Sequence, residues 1–221
     1  MSRIVVVGGA DQGRQTIDVL EAAGVHTVVG VVDPGLGPGV VVAGHPVVEP
    51  AALDGLGVEG FVVAVGDNWT RAAAVARFRA EHPGLALVSA VHPAAVVARD
   101  AVVAPGATLM AGAVVSNGCT VGEGVLMGTH ASVDHDNTLD AYVSLAPGAT
   151  TGGNVRIGAF TAVGLGASVI HGVTVGAHTV VGAGAVVLAD VPDHVVAYGV
   201  PAAVARARDE GEPYLRRRRG G

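Results

Sequence analysis

The sequence predicts a two-part fold: a small doubly wound α/β unit over residues 1–90, then an all-β parallel helix over residues 91–205. Three observations predict it. Up to about residue 90, short Val and Ile runs ending in Gly or Asp alternate with segments of helical spacing. From Ala95 to Asp190 the chain divides into sixteen consecutive hexapeptides without an insertion, and their third position is Val, Leu, Ile or Met in fifteen of the sixteen. Only Thr151 departs, and such residues fall just fourteen times in the other eighty positions of the stretch. Finally, 34 Gly in 221 residues, with 50% hydrophobic but only 3% aromatic residues, favour thin strands and tight turns over helical bundles.

In chain order, Ile4–Val7 reads as a buried parallel strand ending at Gly8-Gly9. A helix is expected over 14–23, with Ile17 and Leu20 inward. Val28–Val32, ending at Asp33, and Phe61–Val65, ending at Gly66-Asp67-Asn68, give two more strands. Asn68 is expected to cap a helix over about 69–81, and Leu85–Val88 is a fourth strand. From residue 95 a strict period of six rules out one helical face and marks a parallel β-helix. Each unit makes a short strand and a turn. The third residue points inward, and the first, Ala in eight units, fits the crowded corner. Three units close one triangular coil, so residues eighteen apart stack at about 4.8 Å.

Thirteen Arg and no Lys, against nineteen Asp plus Glu, leave a net charge of −6, which argues against a nucleic-acid footprint. The single cysteine, Cys119, reads as a small core residue and excludes an internal disulfide or a Cys-based zinc site. No signal peptide or membrane-spanning run is expected, which points to a cytoplasmic protein with no membrane partner. Residues 206–221, which include Arg216–Arg219, read as a basic, disordered and solvated tail.

The candidate chemistry lies in one outward column, Arg99, Asn117, His135, Gly153, His171 and Ala189, at fifth positions. An imidazole with a pKa of about 6.5 suits a general base near neutral pH. Gly153, one coil away, offers a bare backbone N–H for a developing oxyanion. His171 lies two coils from His135, an expected separation of roughly 10 Å, and reads as a non-catalytic surface residue. His130 and His178 fall at turn positions.

Beyond the repeat, several segments follow one another in order: Val5-Val6-Val7-Gly8-Gly9, Gly44-His45-Pro46-Val47, Val65-Gly66-Asp67-Asn68, His92-Pro93, Val133-Asp134-His135-Asp136, Ala146-Pro147-Gly148-Ala149, Gly182-Ala183-Gly184-Ala185-Val186-Val187 and Gly199-Val200-Pro201-Ala202. Over residues 3 to about 205 the chain resembles the sialic-acid O-acetyltransferase/bacillosamine-pathway sugar N-acetyltransferase family. That resemblance implies a Rossmann-like N-terminal domain and a left-handed β-helix. It also implies a homotrimer that uses acetyl-CoA, without a metal, to acetylate a nucleotide-linked amino sugar, with O-acetylation as the near variant. It assigns His135 as base, Asp136 as the carboxylate that raises its basicity, and the Gly153 amide as oxyanion donor. Ser144, Leu165 and Ala183 would contact acetyl-CoA between adjacent β-helices, and Ala10, Asp11, Gln12, Asp33 and Gly66 would receive the acceptor. The chain departs from the family at Ser144, where a His is usual, and at Gln12, which also replaces a His. Another class, the γ-carbonic-anhydrase-like zinc hydratases, shares the β-helix and would use His130, His135 and His171. In that family, however, the lone His precedes the close pair.

Overall fold

The structure, a computed structural model, describes residues 1–215. β1 (Ser2–Val7), α1 (Asp11–Ala23), β2 (His26–Val32), a hairpin of β3 (Val41–Val42) and β4 (His45–Pro46), β5 (Gly60–Val63), α2 (Asn68–Glu81) and β6 (Ala86–Leu87) form the first unit. Its sheet is parallel, in the order β2-β1-β5-β6. Alternation along β1 sends Ile4 and Val6 to one side with Ile17 and Leu20 of α1, and Val5 and Val7 to the other with Val75 and Phe78 of α2. The chain therefore winds to both sides of β1. The crevice between the C-terminal ends of β1 and β5, bounded by Gly8 and Gly66, is the switch point where such sheets take ligands. The expected Asn68 cap is corrected. Asp67 is the cap, accepting from Thr70 N, while Asn68 Nδ2 reaches out of the unit to Phe160 O at 2.6 Å.

The second unit is a triangular parallel β-helix. Every hexapeptide from 95 contributes a two-residue strand at its second and third positions, and residues eighteen apart pair. The first face carries Thr108–Leu109, Leu126–Met127, Ser144–Leu145, Ala162–Val163 and Val180–Val181. The second carries Val114–Val115, Ser132–Val133, Thr150–Thr151, Ser168–Val169 and Val186–Val187. The third runs from Val102–Val103 through Thr138–Leu139 to Thr174–Val175. The first coil begins earlier than the repeat suggests, because Ala90–Val91 pairs with Thr108–Leu109. The last is closed by an antiparallel pair, Val195–Gly199 with Ala202–Ala207.

Third-position side chains such as Leu109, Val133, Leu139 and Ile157 are buried in one continuous core. Burying each contributes about 1.5–3 kcal/mol relative to leaving it exposed. Thr151 occupies the same kind of site with its hydroxyl buried and unpartnered. An unmet hydroxyl there costs about 1–3 kcal/mol. Thr151→Val, nearly the same shape, is therefore expected to stabilise the protein and raise its Tm in a thermal melt. A lowered Tm would show that the hydroxyl is satisfied.

The two units are locked together at the corner between the third and first faces. Tyr142, Phe160, His178 and His194 stack there with centroid spacings of 5.4, 4.9 and 4.9 Å, and Trp69 of α2 leans on Phe160 at 5.2 Å. Arg71 of α2, 2% exposed, donates to the carbonyls of Gly124, Val65, Gly66 and Tyr142 and to Ser144 Oγ. Burial lowers its pKa, yet these five acceptors hold the guanidinium in place.

The solvated tail expected over 206–221 is also corrected for its described part. The last strand runs to Ala207, Arg208 is buried with Nη1 donating to His178 O, and Tyr214 donates to Gly66 O. A segment without periodicity finds its partners across the fold, so its own sequence gives no sign of the docking. Arg216–Arg219 lie outside the described residues. No helix among the described residues is long and apolar enough to cross a membrane.

Candidate active site

The corner between the second and third faces carries His135 and Asp136. Fourteen of the sixteen sixth positions adopt left-handed backbone, eight of them on Gly; Asp136 does so at φ 57°, a conformation Asp tolerates. Its Oδ2 then lies 2.8 Å from His135 Nδ1. The carboxylate fixes the proton on Nδ1 and leaves the Nε2 lone pair outward. Asp136 raises the His135 pKa, chiefly through this hydrogen bond, with Asp134 adding to the effect and partial desolvation opposing it. The pair is exposed, so the bond's value lies in orientation and basicity rather than stability.

Gly153 lies directly beneath the ring. A Cβ there would stand 2.4 Å from both His135 Nε2 and Cε1, so only glycine lets the imidazole lie across this coil. The same gap corrects the expected separation of His135 and His171. With no side chain between them, the rings approach to 6.2 Å. Behind the corner, Asn137 at a buried first position donates to Asp134 O and Gly152 O, tying the two coils together. His130 sits on the corner between the first and second faces, so the three histidines of the zinc reading do not gather within one chain. Among the described residues no three metal-ligating side chains cluster.

A cavity of about 370 Å³ opens between the first face and the crevice of the α/β unit. It brings together Ser144, Leu165 and Ala183 with Gln12 and Gly66. Leu165, at the outer rim, is 57% exposed, and Ser144, at the inner end, 5%. The other acceptor candidates lie outside it. Ala10 precedes α1 without a side-chain cap, and Asp11 is solvent-facing and paired with Arg14. Asp33 accepts from Gly9 N at 2.7 Å and Gly35 N at 2.8 Å, so one oxygen holds the backbone of the glycine loop and the other its own turn after β2. Reading the sequence missed Arg71, although it shares a helical face with Val75 and Phe78. It also missed Tyr214 and Leu215, which line the cavity.

No protein-family model and no curated protein sequence matches the chain. Solved structures do. A histidine variant of GDP-perosamine N-acetyltransferase from Caulobacter crescentus, in complex with CoA and GDP-perosamine, is 38% identical with a TM-score of 0.86, over 92% of this chain and 97% of that one. The acetyltransferase domain of PglB from Neisseria gonorrhoeae, in complex with acetyl coenzyme A, is 35% identical with a TM-score of 0.84, over 91% and 98%. WeeI from Acinetobacter baumannii, 23% identical with a TM-score of 0.78 over 92% and 100%, shares the fold. With this identity across nearly the whole of both chains, and the hexapeptide β-helix common to them, the protein belongs to the hexapeptide-repeat sugar N-acetyltransferases.

Proposed function

We propose that this protein transfers the acetyl group of acetyl-CoA to the amino group of a nucleotide-linked amino sugar by direct attack, with His135 as general base. The observation that carries the proposal is the Asp136-oriented imidazole lying over Gly153, in a chain 38% identical to an enzyme of that class. In the step, the amine nitrogen attacks the thioester carbonyl and the new C–N bond forms. His135 Nε2 takes the amine proton, and the Gly153 N–H donates to the carbonyl oxygen as it gains charge. The C–S bond then breaks, and the thiolate leaves with the proton returned from the imidazolium.

The cavity fits the acyl donor's arm. Its lining over Leu165, Ala162, Val180 and Ala183 is apolar and suits the methylenes of a pantetheine chain, while Gln12, Gln15, Thr129 and Ser144 offer polar groups along it. Residues 1–90 serve as a Rossmann-like acceptor domain and 91–205 as a left-handed β-helix. Gln12 and Gly66 face the acceptor from the switch point, while Asp33 and the Ala10-Asp11 turn shape the loop before α1. Within one chain a whole face separates His135 from this cavity. The site is therefore completed by a second copy, whose His135 corner enters the groove. Three copies around an axis satisfy every groove, which is the homotrimer.

The test is a panel of amino sugars, free and nucleotide-linked, incubated with acetyl-CoA and read by product mass, beside analogues with hydroxyl in place of amine. A gain of one acetyl group on a nucleotide-linked amine is expected. Acetylation of the hydroxyl analogue instead would replace this reading with O-transfer, and no acetylated product on any member would refute it.

A further inference from the structure

At its inner end the cavity is closed by the C-terminal segment. Four contacts fix that segment. Arg208 Nη1 donates to His178 O at 2.7 Å, Arg206 pairs with Glu212 at 2.6 Å, and Gly211 packs against the Trp69 ring. The fourth is the Tyr214 hydroxyl, which donates to Gly66 O at 2.9 Å. Tyr214 and Leu215 thereby become part of the cavity wall, beside Ser144.

The polar groups there are ordered by one cation. Arg71 Nη1 donates to Gly66 O and Nη2 to Ser144 Oγ, both at 2.9 Å. Since Ser144 Oγ accepts from Arg71, its own proton turns away from the guanidinium, toward the phenol and the cavity. Burial raises the Tyr214 pKa, so the phenol stays neutral near pH 7 and acts as a wall and hydrogen-bonding group, not a base. A ligand arm entering at the exposed Leu165 rim runs along the first face and ends at Ser144 and the Tyr214 ring. In a thioester of CoA, the group at that end is the acyl chain.

We propose that Tyr214 is a specificity-determining residue whose ring closes the acyl end of the cavity and restricts transfer to short acyl groups. This rests on the acetyl-transfer reading above. Two added methylenes would have to occupy the volume of the ring, and a pocket that lacks room for one discriminates by about 10-fold or more.

The test is the ratio of kcat/KM for butyryl-CoA to that for acetyl-CoA. It is measured on the wild type, Tyr214→Phe, Tyr214→Leu and Tyr214→Ala, with one amino-sugar acceptor. A ratio taken on a single preparation cancels any inactive fraction, so loss of folded protein does not move it. The expected result is a ratio raised about 10-fold or more in Tyr214→Ala, raised less in Tyr214→Leu, and unchanged in Tyr214→Phe, which keeps the ring. If the alanine variant is inactive, the leucine variant decides. An unchanged ratio in the smaller variants, or an equal rise in Tyr214→Phe, overturns the proposal. Absence of acetyl-CoA turnover by the wild type refutes acetyl transfer itself, so the two failures are told apart.

Discussion

His135→Ala is expected to lower kcat about 10²–10⁴-fold, the usual contribution of a general base, while KM for acetyl-CoA should move little, because a base acts mainly in the transition state. The geometry behind this is local. The ring is held at Nδ1 by Asp136 and lies over a coil that carries no side chain at Gly153. Asp136→Ala costs less in kcat, since the ring keeps its place over Gly153, but it changes the pH profile. Asp136 raises the His135 pKa, and only the neutral ring can accept the proton. Activity therefore rises with pH through that pKa, and the wild-type acidic limb sits above the position of an unassisted histidine. Removing the carboxylate lowers the pKa and moves the acidic limb of kcat/KM to lower pH. A His135→Ala protein keeping half its activity, or an Asp136→Ala limb displaced to higher pH, would remove the mechanism and leave the fold untouched.

What was legible in the sequence follows from what repeats. A strict period of six assigns each residue one place in the prism, so the buried third positions and the outward column of His135 and Gly153 can be read directly. β1, β2 and β5 of the first unit were equally readable, because each apolar run ends at a glycine or an aspartate at the crevice, whereas the short β3–β4 hairpin went unread. The rest depended on contacts between distant segments. Arg71 lies on the buried face of α2 with Val75 and Phe78, and a cation at that spacing was the available signal. Its five acceptors come from four different places in the chain, however, and no local pattern announces them. Tyr214 belongs to an aperiodic stretch whose charges suggested solvent, yet 148 residues separate it from its partner Gly66. The approach of His135 to His171 was misjudged because coil spacing measures backbones, whereas rings reach across a missing side chain.

Mixing two defective variants is expected to restore activity, and this outcome separates a shared site from one contained in a single chain. Leu165→Arg sets a long cation at the exposed rim of an apolar groove, so folding is little affected while KM for acetyl-CoA rises at least about tenfold. His135→Ala leaves that groove intact and removes the base from the opposite corner. Each alone is nearly inactive when acetyl-CoA is held far below the raised KM. In mixed assemblies formed by co-expression with distinct tags, a working site needs a His135 from one copy beside an unaltered Leu165 groove in its neighbour. Random mixing in equal amounts makes about a quarter of the sites in a closed ring of this kind, so the mixture should recover about a quarter of wild-type activity. If each chain built its own site, every site would carry one lesion or the other, and the mixture would equal the mean of the two variants. That result, or a monomeric mass in solution at micromolar concentration, would require His135 to reach the groove of its own chain. The second face of the prism stands between them, and the chain would have to refold its coils to bring them together.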